Sequence, residues 1–117
     1  MEDILNKLAH SKFRGGFHLN NKMKAYVNDK GLETIKKHAY DFINTRIRPA
    51  VIKNDGKQTP MKQVHPVFIA QHATATCCRN CIYKWHKFDK NKVLNDGEVD
   101  YLVNLIMAWI RKEMKGK

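Results

Sequence analysis

The fold class is decided by the C-terminal stretch Asn95–Met114, which reads NDGEVDYLVNLIMAWIRKEM. Asn95, followed three residues later by Glu98, forms a variant of the helix capping box with Asn in place of Ser or Thr. The apolar residues that follow recur at the helical period through at least four turns; they are Val99, Leu102, Val103, Ile106, Ile110 and Met114. The stretch therefore predicts a long amphipathic helix.

The same periodicity predicts three helices nearer the N-terminus. A short helix is expected at residues 2–10, where the apolar residues fall on one stripe. A second helix begins with a cap at Asn20 or Asn21 and ends at Gly31, because glycine is the usual residue after a helix. A third helix covers residues 32–48 and ends before a proline.

The middle of the chain is less regular. Residues 49–64 carry the turn signal Asn54-Asp55-Gly56, and we interpret them as an ordered loop. The apolar run Val67–Ala70 is consistent with either helix or strand, and Thr74 or Thr76 is expected to cap a helix that reaches about Trp85. We therefore expect a mainly α fold of about five helices in one compact domain over residues 1–117. The long loop packs beside a His/Cys-rich segment at residues 65–86.

The composition of the chain restricts its compartment and its partners. The 117 residues carry a formal charge of +11, with a sequence pI near 9.7. Such a surface attracts polyanions, of which nucleic acid is the commonest inside cells, and an anionic membrane surface is another candidate. No apolar run approaches the ~18 residues of a membrane span, and the acidic start at Glu2 and Asp3 is unlike a secretory signal. We therefore expect a cytoplasmic protein that does not insert into a membrane.

The segment His65–His86 holds three of the six histidines and all three cysteines. His72, Cys78, Cys81 and His86 give the spacing H-x5-C-x2-C-x4-H, and two thiolates with two imidazoles suit a tetrahedral zinc ion. On one helix Cys78 and Cys81 lie about 60° apart and share a face, whereas His86 lies about 140° from Cys81. His65 and Cys77 are therefore possible substitutes in the ligand set.

Such a site would be structural if protein groups fill all four positions. It would be catalytic if water holds one of them, with His65 or His72 as acid or base. The sequence leaves open whether the chain is an enzyme.

Two other functions fit the same segment. A Cys-x-x-Cys pair at a helix start, with Arg79 and Lys84 nearby, favours a thiolate, so the chain could be an enzyme or redox protein that uses a Cys thiolate within Cys77–Cys81. Alternatively, the cysteines are small buried hydrophobic residues, and the chain is an interaction module without a bound ligand.

A basic surface is expected beside this segment. Residues 57–92 contain seven Lys or Arg residues and one acidic residue. Tyr83 and Trp85 could stack on bases while cations contact phosphate. The candidate nucleic-acid-binding residues are Arg79, Lys84, Lys87, Lys90 and Lys92.

The run from His65 to His86, with its HATATCCR core and Lys84-Trp85-His86 ending, resembles the signature of domain-of-unknown-function family number 4186. Three further segments resemble the same family; they are Ser11–Arg14, Asn54–Met61, and the final helix with Val103, Ile106 and Trp109-Ile110. The resemblance implies a small bacterial or phage-type protein. It implies no activity.

Overall fold

The computed structural model describes residues 1–50, 57 and 59–115, and these residues form helices, turns and loops without a strand. The α-helices of this described part are α1 (Glu2–His10), α2 (Asn21–Lys30), α3 (Leu32–Phe42), α4 (Pro66–Ala73), α5 (Arg79–His86) and α6 (Asp96–Lys115). The predicted mainly α fold is confirmed. The count exceeds five because the apolar run Val67–Ala70, which periodicity could not assign, lies in helix α4.

Helix α4 forms the centre of the core. All eight of its residues, including the polar Gln71 and His72, are buried, so the helix is enclosed on every side. It packs against α6, α3 and α2, and the apolar stripe of α6 that the sequence predicts is buried in the same cluster. The site at the end of α4 is therefore supported by three other helices.

The predicted helix ends are largely confirmed. Asn20 caps α2, since its side chain accepts a hydrogen bond from the Met23 backbone N–H at 2.9 Å. Asn95 and Glu98 bond reciprocally, backbone N–H to side chain, at 2.9 and 2.7 Å. Helix α3 continues through a π-helical turn at Ile43–Ile47, so the predicted helix over residues 32–48 is present with a widened last turn.

The expected threonine cap on α5 is wrong. The N-cap is Cys78, whose sulfur accepts a hydrogen bond from the Cys81 backbone N–H at 3.4 Å. Thr74 instead donates its hydroxyl to the Ala70 carbonyl at 2.7 Å and lies 3.0 Å from the Thr76 hydroxyl. Both threonines are buried at the C-terminal end of α4. The N-cap of α5 is therefore the sulfur of Cys78.

The turn predicted at Asn54–Gly56 lies outside the described residues. The end of the expected loop is described and packs beside the His/Cys-rich segment, as predicted. Thr59 is buried there and donates its hydroxyl to the Cys77 carbonyl at 2.8 Å, while its own carbonyl accepts a hydrogen bond from His72 at 3.0 Å.

Among the described helices, none combines the length and apolar character needed to cross a membrane.

Candidate metal and thiol centre

The chain reverses direction immediately before the cysteines. Ala75 adopts a left-handed backbone with φ 59°, a conformation that normally favours glycine. The Thr76 N–H donates to the Gln71 carbonyl at 2.8 Å, the hydrogen bond of a Schellman motif at the end of α4. The Gln71 side-chain amide in turn donates to the Thr76 carbonyl at 3.1 Å. This turn fixes where the chain enters the cysteine segment.

The three cysteines form one cluster. Their sulfur atoms all lie within 4.8 Å of one another. Cys78 Sγ and Cys81 Sγ are 3.1 Å apart, because the N-cap and the third residue of α5 face each other across one helical turn. Cys77 precedes the cap and adds the third sulfur, and all three residues are free cysteines.

Arg14 brings a positive charge to this sulfur cluster. Its guanidinium is buried, with 9% of the residue exposed. Nη2 donates to Cys81 Sγ at 3.0 Å, whereas Nη1 lies 3.5 Å from Cys77 Sγ and 2.8 Å from the His72 carbonyl. One arginine therefore contacts two of the sulfurs and the helix that leads to them.

The turn that carries Arg14 depends on a glycine. Arg14 begins a 3-10 turn that ends at Gly16 and follows α1. A Cβ added at Gly15 would lie 2.2 Å from the Ala9 carbonyl oxygen, so only glycine allows the turn to pack this closely on α1. No motif or spacing in the sequence marks Arg14 as a site residue. The sequence feature that includes Arg14 is the segment Ser11–Arg14, which resembles domain-of-unknown-function family number 4186.

The cluster separates the acidities of its three thiols. Hydrogen bonds from Cys77 and Cys78, together with the positive charge of Arg14, hold the pKa of Cys81 far below its usual range. The pKa of Cys77 is raised by its hydrogen bonds to the other two sulfurs and by burial. For Cys78, the hydrogen bond with Cys77 acts downward, but the one with Cys81 and burial raise the pKa overall. The contacts of the metal-free cluster therefore favour the thiolate form at Cys81 and the thiol form at Cys77 and Cys78.

The histidines of the predicted ligand set lie near this cluster but outside the group of three sulfurs. His72 Nε2 donates to the Thr59 carbonyl at 3.0 Å, and His86 Nε2 donates to the Thr74 carbonyl at 2.9 Å. Burial lowers the pKa of both imidazoles, and the hydrogen bonds to the Thr59 and Thr74 carbonyls partly oppose this. Both rings are therefore oriented by backbone carbonyls.

His65, considered above as a substitute ligand, lies at the other end of α4. Its Nδ1 accepts a hydrogen bond from the Val67 N–H at 3.0 Å, and its Nε2 lies 3.0 Å from Nδ1 of His38. Its ring packs against the aromatic rings of Tyr26, Phe42 and Phe68. The structure thus uses His65 as a helix cap, whereas Cys77, the other substitute, joins the sulfur cluster.

The candidate nucleic-acid-binding residues divide into two groups. Arg79 is buried, with 3% exposed, and its guanidinium donates to the carbonyls of Ile47, Arg48, Pro49, Asp89 and Lys92. The four lysines Lys84, Lys87, Lys90 and Lys92 are exposed. Only the lysines are therefore placed where phosphate could reach them.

The family's sequence pattern matches residues 2–111 of the 117-residue chain, and its description is "Domain of unknown function (DUF4186)". The chain belongs to DUF4186. No solved structure matches this DUF4186 protein. Because the family description assigns no activity, the function of this DUF4186 protein has to be inferred from its site.

Proposed function

We propose that the chain binds one divalent metal ion, zinc, through the sulfur atoms of Cys77, Cys78 and Cys81. The observation that carries the proposal is the position of three sulfurs within 4.8 Å of one another. Two sulfurs bound to one zinc at about 2.3 Å in tetrahedral geometry are separated by about 3.8 Å, which is compatible with this spacing. Thiolates are also the ligands that zinc prefers in proteins.

The spacing favours a single ion over an iron–sulfur cluster. In a four-iron cluster each cysteine binds a different iron atom, so the cysteine sulfurs surround the whole cluster and stand farther apart. Here Cys78 Sγ and Cys81 Sγ are only 3.1 Å apart. Small outward movements of the side chains would adjust these sulfurs to one ion, whereas a cluster would require the segment to open.

The charge of the cluster supports a divalent ion. Three thiolates and one divalent cation carry a net charge of −1, and the buried guanidinium of Arg14 compensates it. Its Nη2 already donates to Cys81 Sγ at 3.0 Å. A buried charge is tolerated when it is paired and hydrogen-bonded, and hydrogen bonds from outside the ligand set orient metal ligands. Arg14 supplies both conditions.

The fourth coordination position is assigned to an external ligand, water or a substrate. His72 and His86 are the protein groups that the sequence predicts for this position, yet each ring is directed by its hydrogen bond to a carbonyl. A centre with three protein ligands and one open position is typical of catalytic zinc. His72, through its Nδ1, is the alternative fourth ligand and would close the site.

The three thiols favour a reducing compartment. Three neighbouring free cysteines persist where thiols are kept reduced. We therefore place the functional protein in the cytoplasm.

Elemental analysis of the reduced chain, purified without a histidine tag, tests the metal centre. We expect one zinc per chain, with a loss of affinity of about 100-fold or more in each Cys→Ser variant of the cluster. His10→Ala, which changes an exposed histidine, should leave the stoichiometry unchanged. A chain without stoichiometric metal, in which all three thiols titrate freely, would refute the proposal. Loss of zinc in His72→Ala would identify the closed form of the site.

A second proposed role is contact with nucleic acid through the lysine face, defined here as Lys84, Lys87, Lys90 and Lys92. The specific observation is the position of Tyr83, which is 51% exposed and has the Lys90 ammonium 5.4 Å from its ring centroid. An exposed aromatic ring among lysines combines a stacking surface with cations for phosphate.

The salt dependence of binding tests this face. Binding to single-stranded DNA or RNA should weaken steeply with salt, with a slope that falls when the four lysines are changed to Gln. The same variant should keep its zinc. Undetectable binding at low salt would contradict this role. An affinity that changes neither with salt nor with the substitutions would also contradict it.

A further inference from the structure

We infer that the site is redox-regulated, so that a hydroperoxide closes a disulfide between Cys78 and Cys81 and closure releases the metal ion. The release step rests on the proposed metal centre. The closure step rests on the cysteine geometry alone.

The two sulfurs are already placed for bond formation. Cys78 Sγ and Cys81 Sγ are 3.1 Å apart, and a disulfide bond is about 2.05 Å long, so closure requires a movement of about 1 Å. Both residues belong to the first turn of α5, as its N-cap and its third residue. Closure therefore rearranges two side chains without displacing a helix.

Exposure determines which sulfur reacts first. Cys77 and Cys78 are buried, with 6% and 4% exposed, whereas Cys81 is partly exposed. A small hydroperoxide therefore reaches Cys81 before the other two. Cys78 is then the neighbour that attacks the oxidised sulfur, because the Cys81 N–H and the Cys81 sulfur both already contact its Sγ.

The chemistry balances with hydrogen peroxide as the oxidant. The Cys81 sulfur attacks one peroxide oxygen, the O–O bond breaks, and the other oxygen leaves as water after taking up a proton. This gives a sulfenic acid at Cys81. The Cys78 sulfur then attacks the Cys81 sulfur, the S–O bond breaks, and a second water leaves with a proton. Two thiol groups have lost two electrons, and the peroxide has gained them.

Metal release follows from the loss of ligands. The disulfide removes two of the three thiolates, and Cys77 alone does not hold a zinc ion. For the loaded site, one peroxide and three protons give one disulfide, one Cys77 thiol, two waters and one free divalent ion. A thiol reductant reverses the disulfide and restores the ligands.

The test uses the full-length, reduced, zinc-loaded chain titrated with hydrogen peroxide. A chromogenic chelator reports free zinc, and peptide mapping by mass spectrometry locates the disulfide. We expect one zinc released per Cys78–Cys81 disulfide, with full rebinding after dithiothreitol and added zinc. In the metal-free chain, Cys77→Ser should still form the Cys78–Cys81 disulfide. Cys78→Ser should accumulate a Cys81 sulfenic acid that dimedone traps, provided its circular dichroism remains helical.

Three results would overturn the inference. They are a disulfide that includes Cys77, oxidation of Cys81 to the sulfinic acid while Cys78 stays reduced, and retention of zinc after the disulfide has formed. The first two results leave the proposed metal centre intact, whereas retention of zinc would also count against its three-thiolate ligand set. If the reduced chain never binds zinc but still closes the disulfide, the metal centre and the release step fail together.

Discussion

Arg14 and Cys81 lie 67 positions apart in the chain, yet Nη2 of the arginine donates a hydrogen bond to the cysteine sulfur at 3.0 Å. The contact joins the turn after α1 to the first turn of α5. It places a buried positive charge beside Cys81, the one residue of the cluster that is partly exposed.

Replacing Arg14 should make the Cys81 thiolate harder to form. Hydrogen bonds from Cys77 and Cys78 would still lower the pKa of Cys81, but the guanidinium charge would be lost. We expect Arg14→Met to raise the pH midpoint at which the Cys81 thiolate forms in the metal-free protein by about 1 to 3 pH units. The ultraviolet absorbance of the thiolate measures this midpoint. Arg14→Lys keeps the charge and should show a smaller rise. An identical titration in wild type and Arg14→Met would show that the contact does not control the thiol.

Gly15 tests whether the turn after α1 positions that arginine. Gly15→Ala would place a Cβ 2.2 Å from the Ala9 carbonyl oxygen, so we expect the free energy of unfolding to fall by about 1–3 kcal/mol and zinc affinity to fall with it. Gly16→Ala is the matched control, because nothing lies within 4 Å of its added Cβ. Thermal and urea unfolding would measure both variants. Equal stability of the two variants would contradict the close packing of Gly15.

Acid should weaken the start of α4 through His65. Burial, with a smaller contribution from His38, lowers the pKa of His65 from 6.5 to about 4. The unfolded chain therefore binds this proton more readily than the folded chain. Stability is fully present above pH 6.5 and is lost as the pH falls towards 4. Discounted for solvent, since the ring is partly exposed, the expected loss is about 1–2 kcal/mol.

His65→Asn is the control for this pH dependence. Asparagine can also accept the Val67 N–H as an N-cap, but it does not titrate. Urea unfolding at a series of pH values should show a shallower decline between pH 6.5 and 4 in the variant. Parallel curves for the two proteins would mean that His65 does not carry the acid sensitivity.

We expect Arg79 to stabilise the fold and the lysine face to contact phosphate. Removing its side chain leaves several backbone carbonyls without their donor, so we expect Arg79→Met to lower the free energy of unfolding by about 2–4 kcal/mol. Lys84→Met, on an exposed position of the same helix, should change it by no more than about 0.5 kcal/mol. If Arg79→Met were as stable as wild type, its carbonyl contacts would not matter to the fold.

Local pattern predicted most of the helices correctly. The capping box at Asn95 and Glu98, the Asn20 cap and the apolar stripe of α6 depend on residues a few positions apart, where helix geometry is fixed. The pairing of Cys78 with Cys81 was predictable for the same reason. These features need no knowledge of the rest of the chain.

The remainder of the site depends on contacts between distant segments. Arg14 contacts the sulfurs from the turn after α1, and the carbonyl of the loop residue Thr59 accepts a hydrogen bond from Nε2 of His72. The left-handed turn at Ala75 could not be predicted from the sequence, because the position holds alanine and not glycine. The burial of Arg79 likewise depends on carbonyls from two loops. Composition identified the segment, but packing determined which of its residues meet.

The central claim is that Cys77, Cys78 and Cys81 hold one metal ion, and X-ray absorption spectroscopy of the zinc-loaded chain tests it most directly. The account predicts three sulfur atoms at about 2.3 Å from zinc and one lighter oxygen or nitrogen atom at about 2.0 Å. A coordination shell with fewer than three sulfurs would contradict the three-thiolate centre.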